Sequence, residues 1–442
     1  MDSQNAIKVL PACTHGLPLV VLGASSRGLA ESAGRAGWSV HAADLFCDLD
    51  LIATAREAVQ VSEGPSEDAV GYPWSLHAAA AGFPVAAPWC YTGALENHPD
   101  LIDAIASARP LAGNAGAVVR RLRSHGELAA VVHAAGLSFP ETRSSPDRVP
   151  LDGSWLVKPL ASAGGRGICR WTPQAASSHA SLATARLSRH VWQHCATGAP
   201  FSAAFCMGSG SAQLLGVSRQ LIGEAWCHAG AFAWCGGITH TPAELPPDCR
   251  SQLDRLAAGL VDWCQPVGLL GIDLVVDPTG RITVIEVNPR ATASMELFER
   301  AGAISIAGVH LAACGLALSA DSAGRPGTDA GDNAWAKSVL FAAQATAIDV
   351  PLLDALRHVA TAWTAADGGW AALADIPRPG QVLAAAAPVL TLFARGHTAD
   401  RALACLRGRA AIVDDLLASA RRENQPAIRR GSGCPTAAPS ET

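Results

Sequence analysis

Two carboxylates set in apolar strands constrain this chain more than any other feature. The segments Gly271-Ile272-Asp273-Leu274-Val275-Val276 and Ile285-Glu286-Val287-Asn288-Pro289-Arg290 are aliphatic runs, each interrupted by one acid. The turn Asp277-Pro278-Thr279-Gly280 between them predicts a hairpin, with strands over Leu269–Val276 and Ile282–Val287. An unpaired carboxylate in such a strand is very costly. As hairpin partners, however, Asp273 and Glu286 meet on one face, and Asn288, two residues on, projects to that same face. Two carboxylates and an amide oxygen are hard donors suited to Mg²⁺ shared with phosphates. A buried ion-pair network with Arg290 is the structural alternative.

Upstream, Trp155-Leu156-Val157-Lys158-Pro159 reads as a short strand that runs into a Ser/Gly loop carrying Ser162, Gly164, Gly165, Arg166 and Gly167. Of 33 basic residues only Lys8, Lys158 and Lys337 are lysines, so each is a place to look. Here a fixed cation, a hydroxyl and free N–H groups surround one point, as a triphosphate needs. The lysine precedes the glycines, so this is not a Walker A loop; a plain hairpin with a snorkelling lysine is the alternative. The stretch Val191–Ser202 reads as a strand that breaks at Gly198 and resumes, a pattern with little meaning alone. Near the start, residues 18–44 read as strand, turn, helix and strand. The turn Gly23–Gly28 opens a helix and could hold an anion. It has Ser25 where a dinucleotide-binding GxGxxG needs glycine, so a tight structural turn competes with that role.

Strand and helix signals continue to about residue 105, which suits a doubly wound α/β domain. Pro140–Gly153 is a loop, 247–264 a helix, 319–332 a polar linker, and Ala334–Ala420 a last folded segment. A chain of 442 residues allows several domains, and 49% hydrophobic against 16% charged residues excludes global disorder. With a net charge of −5 there is no basic surplus for nucleic acid or an anionic membrane. Thirteen scattered cysteines without CxxC pairs read as reduced thiols. The opening residues have no signal-peptide pattern and no long apolar run occurs, so a cytoplasmic location is expected.

In this order the pieces resemble the ATP-grasp superfamily, of the carboxylate–amine or thiol ligase type, over about residues 110–310. That resemblance implies an α/β fold (α+β in the ATP-grasp part). Its parts are a pre-ATP-grasp Rossmann-like domain over 1–110, a two-subdomain ATP-grasp core over 111–318, a small β-rich cap over 333–420 like that of biotin-carboxylase-type enzymes, and a disordered tail over 421–442. Lys158 with Ser162, Gly164, Gly165, Arg166 and Gly167 resembles the lysine and flexible loop that cover the ATP phosphates. Gln193–Gly198 resembles the adenine hinge, with Gln193, His194 and Ala196 as contacts. Asp273, Glu286 and Asn288 match the metal-ligating D…ExN pattern, and Arg290, with Lys158, takes the catalytic role. Thr292 and Ser294 are substrate contacts or a helix cap. Two departures stand out: Ala199 and Pro200 replace the usual ribose-binding acid, and no second phosphate lysine is present, leaving Arg120 or Arg121.

The implied cofactors are ATP and Mg²⁺ (or Mn²⁺), and the implied reaction joins a small-molecule carboxylate to an amine through an acyl phosphate. Amino-acid or glutamate ligation in small-molecule or one-carbon cofactor biosynthesis fits this pattern, and so does a homo-oligomer. The alternatives are an ATP-dependent carboxylase, another ATP-grasp phosphoryl-transfer enzyme, or a non-catalytic nucleotide-binding or NAD-linked α/β protein.

Overall fold

The run Pro18–Leu22 lacks polar alternation because both of its faces are covered. The computed structural model of the protein describes residues 8–9, 16–62, 64, 71–180, 189–208, 210–240, 248–302, 304–317 and 333–423. In it β1 (Pro18–Leu22), α1 (Arg27–Arg35), β2 (Ser39–Asp44), β3 (Glu57–Gln60) and β4 (Trp89–Tyr91) build a parallel sheet of order β3-β2-β1-β4. The Gly23–Gly28 turn is explained by packing. A Cβ on Gly23 would fall 1.9 Å from Thr92 Oγ1. Ser26 donates through N and Oγ to one oxygen of Asp44, at 2.8 and 2.9 Å. The chain's own carboxylate thus occupies the helix N-terminus where an anion would bind.

Helices α2 (Gly116–Leu122) and α3 (His125–Ala134) lead to a small antiparallel sheet. It comprises β5 (Thr142–Arg143), β6 (Trp155–Pro159), β7 (Cys169–Arg170) and β8 (His190–His194), in the order β5-β8-β6-β7. Its core is aromatic, built on Trp155, Trp171 and Trp192. Beyond Gly198 the chain enters a second sheet through β9 (Ala199–Gly208), β10 (Ser211–Ile222) and β11 (Trp234–His240). Helix α4 (Cys249–Cys264) then covers one face, burying Leu253, Leu256 and Leu260 against Phe205 and Ile272. The expected hairpin follows as β12 (Gly268–Val276) and β13 (Ile282–Asn288).

The last segment, expected as a C-terminal α/β cap, shares its sheet with the preceding part. Strands β14 (Ala334–Phe341), β15 (Leu373–Ala374) and β16 (Pro388–Gly396) continue the same sheet, giving eight antiparallel strands in the order β13-β12-β9-β10-β11-β14-β16-β15. Gly236 permits the β11–β14 junction, since a Cβ there would fall 2.0 Å from Lys337 O. Helix α5 (Ala399–Glu423) covers this end and runs past the boundary expected at residue 420. The linker 319–332 and the tail beyond residue 423 lie outside the described residues. Among those described, no helix is long and apolar enough to cross a membrane.

Buried charges tie the three segments together. Arg27, 2% exposed, donates to both oxygens of Asp375 at 2.8 and 3.0 Å and pairs with Glu296. Lys337 also pairs with Glu296 and donates to Ala293 O. Asp50 Oδ2 lies 3.4 Å from Arg27 Nε and accepts from the Asp375 amide.

Candidate active site

The β12–β13 register sets Asp273 directly opposite Glu286, and Gly271 opposite Asn288. Asp273 Oδ1 accepts from Gln220 Nε2 at 2.7 Å and Oδ2 from Asn288 Nδ2 at 3.1 Å. The same Asn288 nitrogen lies 3.4 Å from Glu286 Oε1. Burial, reinforced by the Glu286 charge, raises the Asp273 pKa. Burial also works against the Glu286 carboxylate, yet Lys158 and Arg123, with hydrogen bonds from Asn288 and Asp273, hold it below its usual value. Two acids thus crowd one sheet face, and the charge of each works against ionisation of the other. The donor set fits a divalent cation, whose charge would relieve that crowding. Among the described residues no group of three or more His, Cys, Asp or Glu forms a metal cluster. Asn288 and ligand oxygens would complete the shell, as in sites where Mg²⁺ is shared with phosphates.

Lys158, late in β6, donates from Nζ to Gln193 Oε1 at 3.0 Å. Gln193 Nε2 in turn donates to Thr142 Oγ1 at 3.0 Å. The Gln193 side chain is thus a brace for Lys158. The glycine loop reaches both neighbouring segments: Asn97 Nδ2 donates to Ser162 O at 3.2 Å, and the Trp234 amide to Gly164 O at 3.0 Å. Gly165, at φ +78°, must be glycine, because a Cβ would fall 1.8 Å from Phe232 O. Within the loop, Ser162 Oγ donates to Arg166 O at 2.7 Å. At the end of β8 the His194 amide donates to Glu141 O and the Cys195 amide to Ser154 O, both at 2.8 Å, just before Ala196. The chain then passes β12 so closely that a Cβ on Gly198 would fall 2.3 Å from Val276 O.

Between these parts lies a cavity of about 340 Å³, lined in part by Lys158, Leu160, Arg123, His125, Phe139 and Glu286. Arg123 Nη2 donates to Asn97 Oδ1 and Leu160 O, each at 2.7 Å. Arg120 instead pairs with Asp100 and Asp103, and Arg121 lies over the Trp263 ring at 4.7 Å. Arg123 is thus the second cation acting on Glu286, while Arg120, one of the two alternatives offered for the phosphates, also lines the cavity. Burial, with Lys158 and Arg123 nearby, lowers the His125 pKa.

Arg290 forms its ion pair with Glu96 rather than with Asp273 or Glu286. Its Nη2 donates to Glu96 Oε1 and lies 3.4 Å from Asn288 Oδ1, while Nη1 donates to Ala291 O at 3.0 Å. Glu296 and Glu299 are occupied elsewhere, by Arg27 and Arg35. Thr292 caps the turn Ala293–Met295, and Ser294 Oγ lies 3.1 Å from Thr292 Oγ1, which makes both part of the cap. Glu96 and Arg123 escaped the sequence reading. One signal for Glu96 exists: it lies in the loop after β4, beyond the carboxyl end of a parallel strand, where such sheets bind ligands.

Residues 126–294 match the model of a family described as an ATP-grasp domain. The chain carries an ATP-grasp domain, and its fold is that of the ATP-grasp superfamily. Among solved structures it is similar to N5-carboxyaminoimidazole synthetase from Staphylococcus aureus, with a TM-score of 0.62, 12% identity, and coverage of 92% of this chain and 100% of that one. Biotin carboxylase from Campylobacter jejuni gives 0.61 at 13% identity, covering 87% and 89%. L-amino acid ligase from Bacillus licheniformis gives 0.58 at 15%, covering 91% and 98%. At these identities the likeness is one of fold. No curated protein matches the sequence.

Proposed function

We propose that this protein is an ATP-dependent ligase that activates a carboxylate as an acyl phosphate and joins it to an amine, releasing ADP and phosphate. The observation that carries the reading is the Asp273–Glu286 pair, which shares a face with Asn288 and lies in the field of Lys158 and Arg123. Acids and cations held apart around one cavity suit a polyphosphate bound with a divalent ion. Lys158, braced by Gln193, and Arg123, braced by Asn97, would hold phosphate oxygens. Asp273, Glu286 and Asn288 would hold Mg²⁺, which when bound supplies positive charge to the phosphates. The segment Gln193–Ala196 would take the adenine. The Ser162–Gly167 loop, docked on Trp234 and Asn97, would exclude water from the acyl phosphate. Arg290 has the planar fork that suits a carboxylate or acyl phosphate.

Chemistry here is mainly positioning and charge neutralisation. The carboxylate oxygen attacks the γ-phosphorus and ADP leaves; the amine nitrogen then displaces phosphate and gives up its proton. Two of the neighbours, the L-amino acid ligase and the biotin carboxylase, are named for this kind of bond formation or for a carboxylation. The Gly23–Gly28 turn offers no second nucleotide site, since Asp44 fills its helix N-terminus. The test is ADP release from MgATP with pools of carboxylates and amines. Release that requires one compound from each pool supports the ligase. Release with bicarbonate alone favours a carboxylase, and a nicotinamide requirement overturns both.

A further inference from the structure

Beside the carboxylate pair lies a second set of polar atoms, at the edge of the cavity that Glu96 lines together with Lys158 and Glu286. Glu96 is 2% exposed, and its Oε2 is buried without a hydrogen-bond partner. The Nε of Arg290 is buried and unpartnered as well, although both of its other guanidinium nitrogens are engaged. The Tyr72 hydroxyl is the third such atom, and it lies in the field of both charges. Native proteins leave few buried polar atoms unsatisfied. Three in one place, converging from the N-terminal sheet and from the end of β13, mark where another molecule supplies the partners.

The chemistry of the three atoms defines that molecule. Arg290 Nε requires an anionic acceptor, and Arg290 stands next to Asn288, so that acceptor is the carboxylate brought to the phosphate. Glu96 Oε2 requires a donor, and a buried carboxylate is best matched by a cationic one. Glu96 and Arg290 already touch each other. A ligand that satisfies both therefore carries its anion and cation on adjacent positions. We infer that the carboxylate activated here belongs to an α-amino acid, whose ammonium is read by Glu96 and Tyr72 while its carboxylate is read by Arg290. This rests on the ligase reading for the fate of the carboxylate, but not for its binding.

The test is amino-acid binding to the full chain, measured by thermal shift and by ligand-observed NMR, with and without Mg²⁺ and a non-hydrolysable ATP analogue. The probes are the common α-amino acids, the matching carboxylic acids without the amine, and the matching methyl esters. At least one amino acid is expected to bind where its deaminated acid and its ester do not. Glu96→Gln should weaken that binding about tenfold to hundredfold, the scale of one charge-assisted hydrogen bond, with nucleotide affinity unchanged. Tyr72→Phe removes a hydroxyl that has no partner in the free protein, so it leaves stability intact, yet it should weaken binding severalfold. If Glu96→Gln does not fold, Tyr72→Phe decides alone: unchanged amino-acid affinity overturns the inference. Equal binding of the deaminated acid to the wild type overturns it too, as does the absence of any amino-acid binding. Failure of the nucleotide to bind, with amino-acid binding kept, counts against the ligase reading instead.

Discussion

Two buried clusters of charge lie within this molecule, and they are built to opposite rules. In the first, Arg27, Glu296, Lys337 and Asp375 join the N-terminal sheet to both ends of the chain's second half, and each charge faces its opposite. Burial works against the Glu296 and Asp375 carboxylates, yet the neighbouring cations hold both below the usual range. In the second, Asp273 and Glu286 face each other as like charges, while Glu96, Arg290 and Tyr72 keep unpartnered atoms. Equal burial thus means different things. The first cluster is complete and reads as structure; the second lacks partners and reads as a site.

Substitutions that strike one cluster and spare the other test this contrast. The largest effect should come from Arg27→Met, which leaves Asp375 and Asp50 facing each other without their cation. Breaking a buried pair costs about 3–5 kcal/mol. Denaturant unfolding should show that loss, while turnover per folded molecule stays near the wild-type value; loss of turnover at full stability would erase the distinction. Glu286→Gln should do the reverse. Removing one of two facing acids leaves the melting temperature of the free protein unchanged or higher, while turnover falls about a hundredfold, as when one preorganised charge is lost. Next comes Lys158→Ala. Calorimetric titration with ADP should show a loss of about 1.5–3 kcal/mol, the value of a hydrogen bond to a charged group, and an unchanged affinity would remove Lys158 from the nucleotide site.

The smallest effect sharpens the edge of the structural cluster. Burial, followed by the negative charge of Asp375 and Asp50, pushes the Asp48 pKa up to about 9. A carboxyl whose pKa is raised on folding binds more protons in the folded than in the unfolded chain. Its contribution is therefore full below the ordinary aspartate range and is lost as the pH rises towards about 9. Stability should decline from pH 5 to pH 9, and Asp48→Asn should flatten that decline. An identical slope in the variant would place the titrating group elsewhere.

The sequence announced that Asp273 and Glu286 meet because hairpin partners are local. The turn at Asp277–Gly280 sets the register, and the register sets which side chains meet. Lys158 was legible for the same reason, as a rare lysine just ahead of its loop. Glu96 was not, because it meets Arg290 across 194 residues of chain and no local pattern encodes that contact. Nor was the choice of Arg123 over Arg120 and Arg121. All three lie within one turn and the next residue, and the packed positions of Asp100, Asp103 and Trp263 engage Arg120 and Arg121 elsewhere, while Arg123 acts on Glu286. The C-terminal segment was legible as strands and helices, but the partner of its first strand, β11, lies about a hundred residues back, and no local pattern encodes that pairing.

That pairing limits how this architecture can be taken apart. A module that merely sits on its neighbour can be shortened, exchanged with a relative's or grafted elsewhere. A region whose first strand is hydrogen-bonded into the sheet built by residues 199–288 cannot. Cutting the chain before Ala334 would strip β11 of its outer neighbour, leaving unpaired N–H and C=O groups along Gly236, Gly237 and Ile238. Bare edges of that kind recruit other strands, so the shortened chain would gather into aggregates. The same strand carries the amide that receives the glycine loop at Gly164. The C-terminal segment thus flanks the strand on which the Ser162–Gly167 loop is docked.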